Sequence, residues 1–285
     1  MERSSNGVAL TVGASLIWGT SFVAVSVGLE YSNPYTLLFE RFLVATLAIV
    51  VVSAFVKSAR IWPELPKPKT WILGGVYAAA FVLQFLGQNL SGASASALLS
   101  NLFVVFVPVV AFFVLRERIP NMSKAAVALS VLGVFLVFPS GLQVSASTLG
   151  DLLLVGSSLG YTLFIVYSKK FGVTSMAGSF AVIVSMTIIM APVSVLAGGY
   201  TSFGPVAAAG WESVVWLGVP CTVVALAMYT RGLASIRAVQ SATLLLFEII
   251  VGVTLSVALL GSVLNSIQLI GAGVIAFAIL LSSRP

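Results

Sequence analysis

Glu248 is the one formal charge in an otherwise apolar run over residues 238–260. A run of that length can cross a hydrocarbon core of about 30 Å, where an unpaired carboxylate costs at least ~2.5 kcal/mol. Such a group demands a proton, a partner or a polar cavity. The chemistry open to it is proton exchange, contact with a substrate, or a structural hydrogen bond. Glu40 and Arg41 raise the same question inside a second apolar run, 34–56. Arg41 lies about 10 Å in from that run's outer end at 1.5 Å per residue. Its long stem can snorkel outward, reach Glu30, Glu40 or Asp151, or bring its charge to a substrate carboxylate. Other chemistries fail on composition. With no histidine in the chain, neither an HExxH zinc site nor a histidine-based triad can form. Cys221 is the single cysteine and makes no intrachain disulfide. No GxxxxGK[ST] segment occurs, so the expectation is a protein that is not an enzyme and holds no metal or cofactor.

The elements that must position these charges are membrane helices. Of 285 residues, 59% are hydrophobic and 8% charged, with a mean hydropathy of +1.13. A soluble fold with roughly 25% charged residues is the ordinary case, and this chain cannot cover itself in that way. Its apolar runs are about 20 residues long rather than alternating strands, so the expected fold is an all-α polytopic membrane protein. Ten spans are placed, at 7–28, 34–56, 71–90, 92–114, 122–139, 149–168, 174–198, 211–231, 236–260 and 264–282. The net charge of +6 implies no nucleic acid, because the basic residues sit in short loops between spans and answer to topology and lipid headgroups. Apart from Arg41 they all fall on one side: Arg3; Lys57, Arg60, Lys67 and Lys69; Arg116, Arg118 and Lys124; Lys169 and Lys170; Arg231 and Arg237; Arg284. The positive-inside rule then puts both termini in the cytoplasm of an inner, plasma-membrane protein. The first span has only Arg3 before it and no small-x-small cleavage site, and reads as a retained helix rather than a signal peptide.

The two halves repeat each other. Sliding residues 71–133 forward by 145 positions lays Trp71 on Trp216, Gly87 on Gly232 and Ser96-Ala97 on Ser241-Ala242. A slide of 142 lays Ser15, Thr20 and Phe22 on Ser157, Thr162 and Phe164. Five helices per half is an odd number, so the second half, 140–285, enters the membrane inverted relative to the first, 1–139. Inverted repeats are an architecture of secondary transporters, which bind substrate near the midplane between them.

Polar and small residues at helical spacing mark the faces turned inward. The first span aligns Thr11, Ser15, Trp18 and Phe22; the sixth aligns Ser157, Tyr161, Phe164 and Ser168. The third carries Tyr77, Phe81, Gln84 and Gln88, and the eighth Thr222 and Tyr229. The fourth adds Ser94 and Asn101; the ninth aligns Ser241, Glu248, Gly252 and Ser256. Ordinary helix packing accounts for Ser157, Gly252 and Ser256, and for Trp18 it competes with cavity lining. Tyr77, Gln84, Tyr161 and Tyr229 favour a polar cavity, because a buried amide or phenol needs a partner. Trp18, Phe22, Tyr77, Gln84, Asn101, Tyr161, Phe164, Tyr229 and Glu248 are therefore the candidate substrate-binding set, with Arg41, Glu40 and Glu248 as structural or coupling charges. The expected partners are a small-molecule substrate and the lipid bilayer. If protons are coupled to transport, Glu248 is the natural carrier. No oligomeric state is read from the sequence.

Several short stretches resemble one family, the EamA-type transporters of the drug/metabolite transporter superfamily, over essentially the whole chain. Trp18-Gly19-Thr20-Ser21-Phe22 is similar to its WG-small-x-F signature, and Phe39-Glu40-Arg41-Phe42-Leu43 resembles its arginine motif. Leu115-Arg116-Glu117-Arg118 looks like its acidic L-x-E-R turn, and Leu246-Phe247-Glu248 like its L-E-P, with Ile249 in place of the proline. The second half has Gly261-Ser262 where an acidic turn would repeat. The resemblance implies a metabolite exporter with a ten-helix bundle, a central cavity and alternating access. Within the family the aromatic set looks like the amino-acid-exporting branch, the aromatic-amino-acid exporter included. The alternatives are a channel, or a transporter of another of the superfamily's substrate classes, drug-like cations or nucleotide sugars.

Overall fold

The computed structural model describes residues 2–117, 119–137, 147–197, 208–260 and 266–283. Arg118, the junction between the two expected halves near 139, Gly261-Ser262 and Arg284 lie outside the described residues, as do the side chains of Arg3, Ser94 and Ser256. The described residues of the apolar runs are largely helical, in the order α1 (Glu2–Gly19), α2 (Ser21–Tyr31), α3 (Pro34–Phe55), α4 (Pro68–Leu99), α5 (Phe103–Leu115), α6 (Asn121–Val137), α7 (Thr148–Lys170), α8 (Met176–Leu196), α9 (Ala208–Gly218), α10 (Ala225–Ser235), α11 (Ala238–Leu245), α12 (Phe247–Leu260) and α13 (Ser266–Ser283). Among the described residues seven helical stretches are long and apolar enough to cross a membrane, Ser5–Tyr31, Pro34–Phe55 and Gly210–Ser235 among them. Three shorter apolar helices, Asn121–Val137, Ala238–Gly252 and Ser266–Leu281, accompany them.

The helix starts follow local chemistry. The Asn33 side chain accepts hydrogen bonds from the backbone of Tyr35 (3.1 Å) and Thr36 (3.0 Å), with Pro34 in the first turn. Ser147 and Ser175 cap α7 and α8 in the same way. The breaks inside spans are less visible in sequence. α4 bends at Gly92, whose φ of +85° a residue with a Cβ rarely adopts; the fourth expected span begins there. Between α9 and α10 the helix widens into a π-turn at Val219–Val224, which contains Pro220. Pro108 and Pro192, by contrast, lie within continuous helices.

The packing is that of a bundle in lipid. Large apolar side chains such as Phe55, Phe113 and Leu196 are turned outward, while Thr11, Ser15, Glu40, Arg41, Gln88, Asn101 and Ser157 are buried. Many hydroxyls satisfy themselves on their own helix, Thr11 on the Gly7 carbonyl and Ser157 on that of Leu154, so these stripes serve packing. Helices pair across the chain: α4 with α7, α1 with α10, α3 with α8 and α6 with α13. Two of these crossings are closed by glycine. A Cβ on Gly232 would stand 2.8 Å from the Gly7 carbonyl oxygen, and one on Gly87 would stand 2.9 Å from that of Gly150. Gly232→Val therefore forces α1 and α10 apart and is expected to destabilise the bundle by about 1–3 kcal/mol. Gly75→Ala, where a Cβ meets nothing within 4 Å, is the control, and thermal midpoints in detergent check both.

Candidate functional site

A cavity of about 700 Å³, its open mouth included, lies among α1, α2, α3, α4, α5, α7, α10, α11 and α12. Its walls are aromatic. Tyr77 of α4 and Phe164 of α7 stack face to face, centroids 3.8 Å apart and 5° between planes. Tyr161 meets Tyr77 and Phe81 edge-on at 5.8 and 5.5 Å, and Trp18 tilts against Tyr229 at 5.3 Å. Such rings supply broad apolar contact with polar tips.

The polar groups are few and individually fixed. The Tyr161 hydroxyl donates to Gln84 Oε1, and Gln88 Nε2 donates to Ser26 Oγ at 3.3 Å and the Phe22 carbonyl at 3.4 Å. Trp18 Nε1 donates to the Cys221 carbonyl at 2.6 Å. That carbonyl belongs to the π-turn, where the widened ladder leaves backbone oxygens free for side chains. Thr222, in the same turn, donates to the Leu217 carbonyl at 2.7 Å and accepts from Arg41 Nε at 2.8 Å. Glu248 opens α12 just after the Leu246 break and faces the cavity, with Asn101 beside it. The Asn101 Nδ2 donates to the Ala97 carbonyl at 2.8 Å, and its Oδ1 is buried without a partner.

Of the sequence-derived set, Trp18, Phe22, Tyr77, Gln84, Tyr161, Phe164, Tyr229, Glu248 and Arg41 line this one cavity. Asn101 does not. It sits in the tight turn Ser100–Leu102 between α4 and α5, where the register rotates so that Ser100 faces the cavity instead. Glu40 is buried in α3 away from it. The expected pairing of Arg41 with a carboxylate is also absent: among the described residues no acid lies within ion-pair distance of it, because its side chain turns inward to Thr222 rather than outward. Phe85 and Ser21 line the cavity too, a helical turn from Phe81 and from Val25, and were not picked out beforehand. Spacing alone would have found Phe85, four residues after Phe81.

At the basic end of the bundle a second cluster ties the chain's halves together. Glu117, in the turn after α5, accepts from the backbone N–H of Ala238 at 3.2 and 3.4 Å and pairs with Lys169 Nζ at 2.9 Å. Lys169 also donates to the Ile236 carbonyl. The preceding Arg116 takes a left-handed φ of 54°, which turns the chain sharply toward α11.

Comparison with known proteins gives one consistent picture. A crystal structure titled only "Crystal structure of protein" shares the fold, with a TM-score of 0.79 at 16% identity, over 97% of this chain and 96% of that one. The transporter YcxC of Bacillus subtilis, whose function is uncharacterised, is 30% identical over 55% of this chain and 51% of its own length. The inner membrane transporter YhbE of Escherichia coli, also uncharacterised, is 24% identical over 50% and 45%. A probable amino-acid metabolite efflux pump of Salmonella typhimurium is 25% identical over 60% and 55%. The chain thus spans about half the length of each of these relatives. The profile of the EamA-like transporter family matches twice, at residues 5–138 and 148–284.

Proposed function

This chain belongs to the EamA-like transporter family, and from that we propose that it is a secondary transporter exporting amino acids, aromatic and hydrophobic ones foremost, by alternating access. The observation that carries the reading is the cavity itself: one aromatic-walled space with one cation and one carboxyl group in its lining, Arg41 and Glu248. The name of the Salmonella relative points the same way.

The ten-helix, inverted-repeat arrangement belongs to this proposal. It is supported by the family profile matching each half separately, and by helix pairs drawn one from each half. Gly87 and Gly232, which the 145-residue slide superposes, close two such crossings in the same manner. The inner membrane is the proposed location, with both termini cytoplasmic. Glu248 is the proposed proton carrier, being the only acid among the described residues of the cavity lining.

Counterflow into proteoliposomes across a panel of amino acids tests the function. Saturable exchange of phenylalanine, tyrosine, tryptophan or leucine is expected. Exchange confined to nucleotide sugars, or ion currents without saturable exchange, overturns it.

A further inference from the structure

Arg41 is a buried cation whose anion the described residues do not supply. It is 2% exposed, and no carboxylate among them lies within ion-pair distance. Of its five N–H donors, only Nε is engaged, by Thr222 at 2.8 Å. The guanidinium carbon stands 4.6 Å from the Phe81 ring centroid, 5.8 Å from that of Phe42 and 5.9 Å from that of Phe85. These ring faces steady the charge, but a π-face leaves the terminal N–H groups unbonded in a medium where an isolated charge is costly. The side chain lines the main cavity and also a small space behind it, bounded by Cys221, Thr222, Met186 and Leu226. Glu248, the one acid in the same lining, does not pair with it; Tyr77 and Tyr161 stand in the field of both.

We infer that Arg41 anchors the carboxylate of the transported molecule through its two terminal nitrogens, with the stacked pair Tyr77–Phe164 and the Phe81 ring holding an apolar or aromatic body. This rests on the reading that the aromatic cavity is the transport site. The planar fork matches a carboxylate bidentately. Thr222 fixes the plane of that fork through Nε, and the rings exclude the water that would otherwise compete. The substrate class is therefore carboxylates with an apolar or aromatic body, amino acids among them. Drug-like cations without an acid group are disfavoured by the same charge. Thr222 is a positioning residue in this scheme, and its place on the π-turn ties the anchor to a helix that departs from regular geometry beside the cavity.

The test compares two probes alike in shape, 3-phenylpropionate and 3-phenylpropanamide, by ligand-induced thermal stabilisation of the full chain in detergent. The acid is expected to bind the unaltered protein about ten- to a hundredfold more tightly than the amide, the range of one to two charge-assisted hydrogen bonds. Arg41→Gln removes that discrimination; Arg41→Lys, which keeps the charge without the fork, retains part of it. Equal stabilisation by acid and amide, or by neither, overturns the inference on the unaltered protein alone, whether or not the variants fold. Stabilisation by chloride at the concentration of the acid identifies an inorganic-anion site and also overturns it. Amino-acid counterflow separates the two readings. Acid-over-amide discrimination in a protein that exchanges no amino acid leaves the anchor standing and removes the amino-acid reading. Undiminished phenylalanine exchange by Arg41→Gln removes the anchor and leaves the transport reading.

Discussion

Glu248→Gln is expected to keep saturable substrate exchange, at weakened affinity, while reducing pH-gradient-driven accumulation by about tenfold or more, about 1.4 kcal/mol of driving force. The carboxyl group is the only acid among the described residues of the cavity lining. When protonated the group is neutral, which is far less costly at that depth than a carboxylate. When ionised it offers an acceptor to the ammonium of an amino acid. A proton and a substrate can thus alternate at one group, and this exchange is the minimal requirement for coupling. Glutamine keeps the shape and the neutrality of the protonated acid and cannot ionise. Uptake into proteoliposomes with and without an imposed pH difference reads the effect. Equal accumulation by Glu248→Gln and the unaltered protein would remove Glu248 from the coupling step.

The second large effect is expected at the basic end. Glu117→Gln leaves Lys169 without its counter-ion and weakens the hold on the first N–H of α11. The Lys169 side chain is one quarter exposed, so solvent offsets part of the loss, and about 1–3 kcal/mol is the expected destabilisation. The cluster joins the turn after α5, the end of α7 and the start of α11. Its loss should therefore weigh against the arrangement in which that end is closed, shifting the balance of the two orientations by about tenfold per 1.4 kcal/mol. A lowered thermal midpoint and faster substrate access from the basic side check this. Combining it with Lys169→Met should recover part of the stability, because the unpaired charge is then gone. Additive losses in the double variant would show that the ion pair does not couple the two residues.

The all-helical, membrane-spanning character of the chain was legible in the sequence because hydropathy and length act on every residue of an apolar run at once. Phe22, Tyr77, Gln84, Tyr161 and Tyr229 converge because four-residue spacing keeps one face of a helix together. What escaped the sequence depends on single backbone events. The tight turn at Ser100–Leu102 rotates Asn101 off the face that spacing assigns it, about 100° per residue. The π-turn at Val219–Val224 carries only Pro220 as a local signal, yet it sets the partners of both Trp18 and Arg41. The direction of Arg41 was equally hidden, since outward snorkelling and inward anchoring place the same residue at the same depth.

Cys221 sits in that π-turn, fully buried, its thiol 3.7 Å from both the Ile17 carbonyl and the Thr20 hydroxyl. As the chain's sole cysteine, it makes the unaltered protein its own single-site labelling reporter. A maleimide reaches the sulfur only when α1 and the π-turn part, so the rate of alkylation measures how often that seam opens in working membranes. Substrate that holds the seam shut should slow labelling, and substrate that drives it open should speed it. Either way, the cycle becomes visible through one native atom without any engineered probe.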